Sequence, residues 1–323
     1  EGNALFSLGQ ANFWMSHHEQ AIEFLEQALA IYREGNDRAR EGIVLGTLGI
    51  SYQKLNRYEK AIEYHQQALA IARESKDRLK EAVYFANLGL TYSAMGRYEK
   101  AIELAEQALA IFRELKNRSG EGKALGNLGE GYRGLGRYEK AIECFERNLA
   151  ISREVKDRED EGQTLESLGG LYGLLGRHDK AFESYDQSLM IAREIRNRDD
   201  EGKALQGLAR VEWNRGNPAQ ARTLIEQSLQ IAESLRSDLM NPESRASFLA
   251  SVQSSYKFYT DLLMRQHRAE PKKGLDALAV EVSERQRARS LLDLLNEAHA
   301  EVRQGVDAAL LEKAPRLRVV GRA

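Results

Sequence analysis

The sequence predicts an all-α solenoid of helix hairpins, closed at its C-terminal end by a longer helical hairpin. Three observations lead to that class. A pattern recurs every 40 residues, carried by Leu8, Leu48, Leu88, Leu128, Leu168 and Leu208 and by Gly9, Gly49, Gly89, Gly129 and Gly169, with Ala209 in the sixth place. A fixed period of that size marks stacked structural repeats. Within each period, two apolar stripes fall at helical spacing with a turn signal between them. Past residue 236 the period stops, while helical spacing of apolar residues continues.

Six repeats are expected, at 1–40, 41–80, 81–120, 121–160, 161–200 and 201–236. In the fourth, Leu125, Leu128, Gly129 and Tyr132 make one helical stripe, and Ala141, Ile142, Phe145 and Leu149 make a second. Gly136-Arg137 separates them, and the second helix opens around Tyr138-Glu139-Lys140. Gly129 and Ala141 are small where the two helices of a hairpin must approach closely. The polar pairs Asp37-Arg38, Asp77-Arg78, Asn117-Arg118, Asp157-Arg158 and Asn197-Arg198 fit short turns feeding the next helix. The sixth repeat decays, with Glu212 at the Tyr place, Pro218 opening the second helix and Glu233 at the place of a basic residue.

Asn241-Pro242 then marks a helix start, followed by Phe248, Val252, Tyr256, Tyr259 and Leu263. Pro271 punctuates again before a helix carrying Leu275, Leu278, Val282 and the apolar run at 291–295. Residues 237–300 are expected to form a capping hairpin, and 301–323 a short helix (308–313) and a tail.

A chain of 323 residues would ordinarily suggest two domains. A repeat array escapes that rule, because each repeat contacts its neighbours and the core grows along a line. Net charge is −2, from 47 basic and 49 acidic residues, so no general field draws in nucleic acid or an anionic membrane. The local cluster Arg285-Gln286-Arg287-Ala288-Arg289 reads as a solvated helix face. The single cysteine, Cys144, cannot form an internal disulfide, which suits a reducing, cytoplasmic setting. No signal peptide and no apolar run of about 18 residues is visible. The chain opens on Glu1 inside a repeat, as a piece of a longer chain would.

Leu-Gly…Tyr…Gly-x-Tyr-x-x-Ala…Ala-Leu at these spacings resembles the tetratricopeptide repeat, over residues 1 to about 236. The resemblance implies a right-handed superhelix with the first helices lining its concave side, and a protein–protein interaction scaffold without catalytic residues, metal or cofactor. The repeat is longer than the common form, and Arg33, Arg73, Arg113, Arg153 and Arg193 stand where a proline usually closes the second helix. In this it looks like the extended repeats of kinesin light chains and bacterial signalling proteins. The segments 247–253, 258–264, 283–295 and 305–311 resemble the stretch that joins such repeats to the caspase-like CHAT domain of a family common in cyanobacteria. That likeness implies an alternative role as the sensor or regulatory segment of a larger protease, with a caspase-like module as a covalent partner further along the native chain.

Other motifs lack the context their chemistry needs. Gly129-Glu130-Gly131-Tyr132-Arg133-Gly134 matches the dinucleotide fingerprint, yet sits inside a helical stripe with no strand before it. His17-His18-Glu19 places adjacent imidazoles at a turn, where they diverge instead of sharing a metal. Cys144 occupies a place held elsewhere by Phe24, Tyr64 and Leu104, a packing position.

What remains is the groove. Helical phase sets Lys123, Glu130 and Arg133 away from the Leu128/Tyr132 stripe. Corresponding places offer Ile43, Ile50, Val83, Ala86 and Leu90 in repeats two and three, Lys203, Arg210 and Trp213 in repeat six, and Phe6, Phe13 and Trp14 in repeat one. Contiguous exposed apolar residues mark interaction sites. Asn87 and Asn127 stand where repeats of this class resemble peptide receptors that hold a ligand backbone through Asn. An amide both donates and accepts, so it suits an extended peptide of any sequence. Gly46, Ala86 and Gly126 stand where the basic clamp of chaperone-binding repeats would need a Lys, which disfavours that ligand. Cutting a stripe residue should open a cavity: Leu128→Ala is expected to cost about 2–5 kcal/mol, read by chemical denaturation.

Overall fold

The structure, a computed structural model, describes residues 1–238, 242–285 and 287. All regular structure among them is helical. Six hairpins follow the 40-residue period: α1 (Gly2–Trp14) with α2 (His18–Glu34), α3 (Arg38–Lys54) with α4 (Tyr58–Glu74), α5 (Arg78–Ala94) with α6 (Tyr98–Glu114), α7 (Arg118–Gly134) with α8 (Tyr138–Val155), α9 (Arg158–Leu174) with α10 (His178–Glu194), and α11 (Arg198–Asn214) with α12 (Pro218–Asp238). Then come α13 (Pro242–Ala269), a 3₁₀ turn at Pro271–Lys273, and a helix over 275–285, α14. The expected short helix and tail at 301–323 lie outside the described residues, as does the apolar run at 291–295.

The chain divides into two compact bodies, Glu1–Ile191 and Ala192–Ala323. The division therefore falls inside α10, and not at residue 236 where the sequence period stops. In the first body α3, α5 and α7 each pack on their own second helix and on the second helix before it, and α9 packs on α8. A continuous core results, with Leu48, Leu88 and Leu128 all buried. Leu8 departs from the expected stripe, being 47% exposed. It sits at the end of the stack, where no other described helix covers that face.

Helix starts and turns repeat as faithfully as the core. Asp37, Asp77, Asn117, Asp157 and Asn197 each cap a first helix, accepting from the backbone N–H three residues on at 2.9–3.1 Å. Each hairpin turn needs one left-handed residue, supplied by Gly136 at φ +70° in the fourth repeat and by Asn56 at φ +57° in the second. Gly129 marks the close approach within a hairpin, since a Cβ there would lie 2.8 Å from the Phe145 ring.

An ion-pair clamp recurs at every junction between repeats. In the first, Arg33 Nε lies 2.9 Å from Glu41 Oε1 and Arg38 Nη1 2.6 Å from Glu41 Oε2. The same trio appears as Arg73/Glu81/Arg78, Arg113/Glu121/Arg118 and Arg153/Glu161/Arg158, and in the second body as Arg193/Glu201/Arg198. All five glutamates are buried. This is why an arginine, and not a helix-ending proline, closes the second helix: its guanidinium reaches the first turn of the next repeat. Arg38, Arg78 and Arg118 extend the chain of charges to Glu74, Glu114 and Glu154 at 2.6–2.7 Å.

Burial alone would raise the carboxyl pKa of Glu41, Glu81 and Glu121, but the arginine hydrogen bonds outweigh it and hold all three below the ordinary value of 4.5. A depressed folded pKa adds stability above the unfolded value, and that stability is lost as pH falls through the folded pKa. Glu121→Gln should lower stability at pH 7 by about 1.5–3 kcal/mol, the range for charged hydrogen bonds. Urea melts of variant and wild type should converge as pH drops below 4.5, the ordinary carboxyl value. An equal gap at pH 7 and pH 3 would count against the clamp.

His65 breaks the pattern of apolar residues at its place in the hairpin. It is fully buried on α4 beneath Gly49, and neither ring nitrogen has a hydrogen-bond partner among the described residues. Burial lowers its pKa from 6.5 to about 4. The unfolded chain thus binds a proton that the folded chain refuses, so stability falls as pH drops from 6.5 towards 4. Leu25 fills the equivalent place in the first repeat, under Gly9. His65→Leu should therefore raise the melting temperature at pH 7 and raise it further at pH 5; a variant no more stable at pH 5 than at pH 7, relative to wild type, would contradict this.

Candidate functional site

In the first body, the outward faces of the first helices α5, α7 and α9 stand side by side. They are held at that spacing by the second helices behind them and by the arginine clamps at each junction. Between them lies a cleft of about 450 Å³. Val83, Asn87 and Leu90 form its α5 wall, Lys123, Asn127 and Glu130 its α7 wall, and Gln163, Thr164 and Ser167 its α9 wall. Six of the residues expected to face a groove are thus gathered in one place: Asn87, Asn127, Val83, Leu90, Lys123 and Glu130.

The wall on α5 is apolar, with Val83 and Leu90 each 39% exposed. The other side is polar. Asn127 Nδ2 makes a long 3.5 Å hydrogen bond to the Ala86 carbonyl, a contact weak enough to yield to a better acceptor. Glu130 accepts from Arg133 Nε at 2.9 Å, and Ser167 Oγ approaches it at 3.5 Å. The floor holds Phe112 and Phe145 together with Asn148 from α8, whose Nδ2 donates to Thr164 Oγ1 at 2.8 Å. Asp160, half-buried at the start of α9, has its pKa raised, first by burial and then by Asp157 and Glu159, while Asn148 and Lys123 oppose the shift.

Other expected groove residues lie elsewhere. Ile50 is half-buried on α3, outside the cleft, and Arg133 is exposed beyond its edge. In the second body, residues on the corresponding face of α11 meet α13, with Lys203 and Arg210 still exposed. Gln206 Nε2 donates to Ser254 at 3.2 Å, the Arg210 guanidinium lies 5.2 Å from the Phe258 ring, and Arg265 lies 5.5 Å from the Trp213 ring. α13 therefore touches that face, with Arg210 and Trp213 each in a cation–ring contact with it. Lys203 is held by Asp199 at 2.7 Å and Asp200 at 3.2 Å.

Asn148 and Asp160 were not singled out from the sequence. The signal was present in the register: the places equivalent to Asn148 hold Ala28, Ala68, Ala108, Ser188 and Ser228, so an amide there is the odd one. The dinucleotide-like glycines have a packing purpose, since a Cβ on Gly131 would meet Ile102 at 2.7 Å and one on Gly134 would meet Tyr98 at 2.3 Å. Burial pushes the Cys144 thiol up, away from nucleophilic readiness. His17 precedes α2 and His18 packs its ring on Phe13 at 5.5 Å. Among the described residues there is no group of three metal-ligating side chains, and no helix long and apolar enough to cross a membrane. Most of the segments that resemble the CHAT junction at 283–295 and 305–311 lie outside the described residues.

Family models for the tetratricopeptide repeat match residues 2–34, 40–114, 86–153, 121–194 and 163–234. The chain is a tetratricopeptide repeat protein. No curated protein sequence matches it. Among solved structures it is similar to the apo form of RapI, with 17% identity, a TM-score of 0.66, and coverage of 89% of this chain and 99% of that one. It is also similar to the Rap conjugation gene regulator of the plasmid pLS20 in complex with the Phr* peptide (16% identity, TM-score 0.63, 88% and 74% covered). A third is a Rap protein complexed with competence and sporulation factor (20% identity, TM-score 0.59, 80% and 75% covered). At these identities the likeness shows the tetratricopeptide fold.

Proposed function

We propose that this tetratricopeptide protein is a non-enzymatic scaffold that holds an extended segment of a protein partner in the cleft on α5, α7 and α9. The observation that carries the reading is the pair Asn87 and Asn127, one repeat apart on adjacent first helices and both lining the same cleft. Two carboxamides at that spacing can each pair with a peptide unit, donating to its carbonyl and accepting from its N–H. Val83 and Leu90 supply an apolar wall for alternate side chains of an extended strand. The Phr* peptide complex of one protein of similar fold supports a ligand of that class. A balanced net charge of −2 offers nothing to a nucleic-acid backbone.

The test uses peptides selected from a random display library on the immobilised full chain, with affinities measured by calorimetry. Asn87→Ala combined with Asn127→Ala should leave helicity by circular dichroism unchanged and weaken the selected peptides by about 5- to 100-fold, at about 0.5–1.5 kcal/mol per hydrogen bond lost. Unchanged affinity in a folded double variant would remove the site from this cleft.

A further inference from the structure

The cleft has a polar floor that backbone capture by Asn87 and Asn127 does not use. Asn148 rises from α8 between the first helices α7 and α9 and is 2% exposed. Gly122 makes room for it, since a Cβ there would lie 2.7 Å from Asn148 Oδ1. Its Nδ2 donates to Thr164 and also supports the Asp160 carboxylate. Its Oδ1 has no hydrogen-bond partner among the described residues. A buried acceptor without a donor is costly, and a ligand that brings a donor relieves that cost.

Comparison across repeats shows how local this arrangement is. Ser188, at the equivalent place in the next repeat, turns to the helix behind and donates to the Gly162 carbonyl at 2.9 Å. Ala28, Ala68 and Ala108 have nothing to offer. Asp160, on the fifth hairpin, stands where the second and third hairpins carry Arg40 and Lys80, the fourth Gly120, and the sixth Asp200, which Lys203 pairs at 3.2 Å. Among the described residues no lysine or arginine forms an ion pair with Asp160; Lys123 acts on it only at longer range, from an exposed position at the rim. The remaining anion of the cleft, Glu130, is already held by Arg133.

We propose that Asn148, Asp160 and Thr164 form a subsite for a basic side chain, Lys or Arg, of the peptide held in the cleft. The proposal rests on the peptide-groove reading above and adds its side-chain preference. The chemistry matches: Asn148 Oδ1, the Asp160 carboxylate and Thr164 Oγ1 are acceptors, and an ammonium or guanidinium carries only donors. The entering cation would give Oδ1 its missing donor and offset the charge of a half-buried carboxylate that burial disfavours. Lys123 can keep its ammonium in water at the rim while its stem lines the entry.

The experiment uses the same library peptides on the full chain, followed by calorimetry with two variants. Asn148→Ala installs the residue that three other repeats carry, and Asp160→Asn keeps the shape while removing the charge; both should melt within a few degrees of wild type. The selected peptides should share a basic position. Replacing that residue with norleucine should weaken binding about 10-fold or more, the factor that follows from losing one charge-assisted contact. Each variant should weaken the basic peptide similarly and leave the norleucine peptide within about 2-fold of its wild-type affinity, as expected where only the shared contact is removed. Peptides with no common basic position, or variants that weaken both peptides equally, would overturn the subsite and leave the groove standing. No selected peptide at all, or peptides indifferent to Asn87→Ala with Asn127→Ala, would overturn the groove reading and the subsite with it.

Discussion

The buried glutamate between two arginines is the interaction on which the stack depends. It occurs once per junction, at Glu41, Glu81, Glu121, Glu161 and Glu201, and each instance joins the end of one hairpin to the start of the next. A carboxylate held this far from water would be unfavourable with one partner; with two guanidinium groups on its two oxygens it remains charged. The arginines are about half exposed, so their own desolvation is modest. The same distances recur from junction to junction within the first body, at Glu41, Glu81, Glu121 and Glu161. The regular spacing of α5, α7 and α9, and hence the width of the cleft, follows from it.

Small residues set the second dimension. Gly129 and Ala141 let the two helices of a hairpin meet, and glycines such as Gly131 and Gly134, against Ile102 and Tyr98, set the distance across a junction. Where the chain departs from that economy, something else fills the space. Tyr84 lies against Gly46 and donates its hydroxyl to the Gly42 carbonyl at 2.8 Å, closing the gap between α3 and α5. Between α7 and α9 the corresponding place is Thr164, much shorter, and the opening is floored by Asn148 instead. A cleft exists there because a large residue is missing from one helix and an amide reaches through from another.

Much of the fold could be read directly. Period, helix phase, turn positions and the capping role of Asp37 and its equivalents all depend on near neighbours in sequence, and α13 begins at Pro242 as the Asn-Pro signal implied. Part of the candidate site was legible too, because Asn87, Asn127, Val83, Leu90, Lys123 and Glu130 share one phase of the first helix. Arg210 and Trp213 share that phase yet meet Phe258 and Arg265 of α13, which lies more than 40 residues on and follows no period that could have placed it. Asn148 was hidden for the converse reason. It belongs to a second helix, whose phase assigns it to the core, and only the gap left by Gly122 and Thr164 opens it to the cleft.

The sequence by itself determined that this chain is a stack of tetratricopeptide hairpins, because repetition turns a weak local preference into six concordant copies. It also determined the junction arginines, although not their purpose. Tertiary structure alone decided which first-helix faces stay open, where the polar floor lies, and which charges remain without a counter-ion. Those depend on the size of residues one hairpin away and on the course of α13, distances across space that a 40-residue period does not encode.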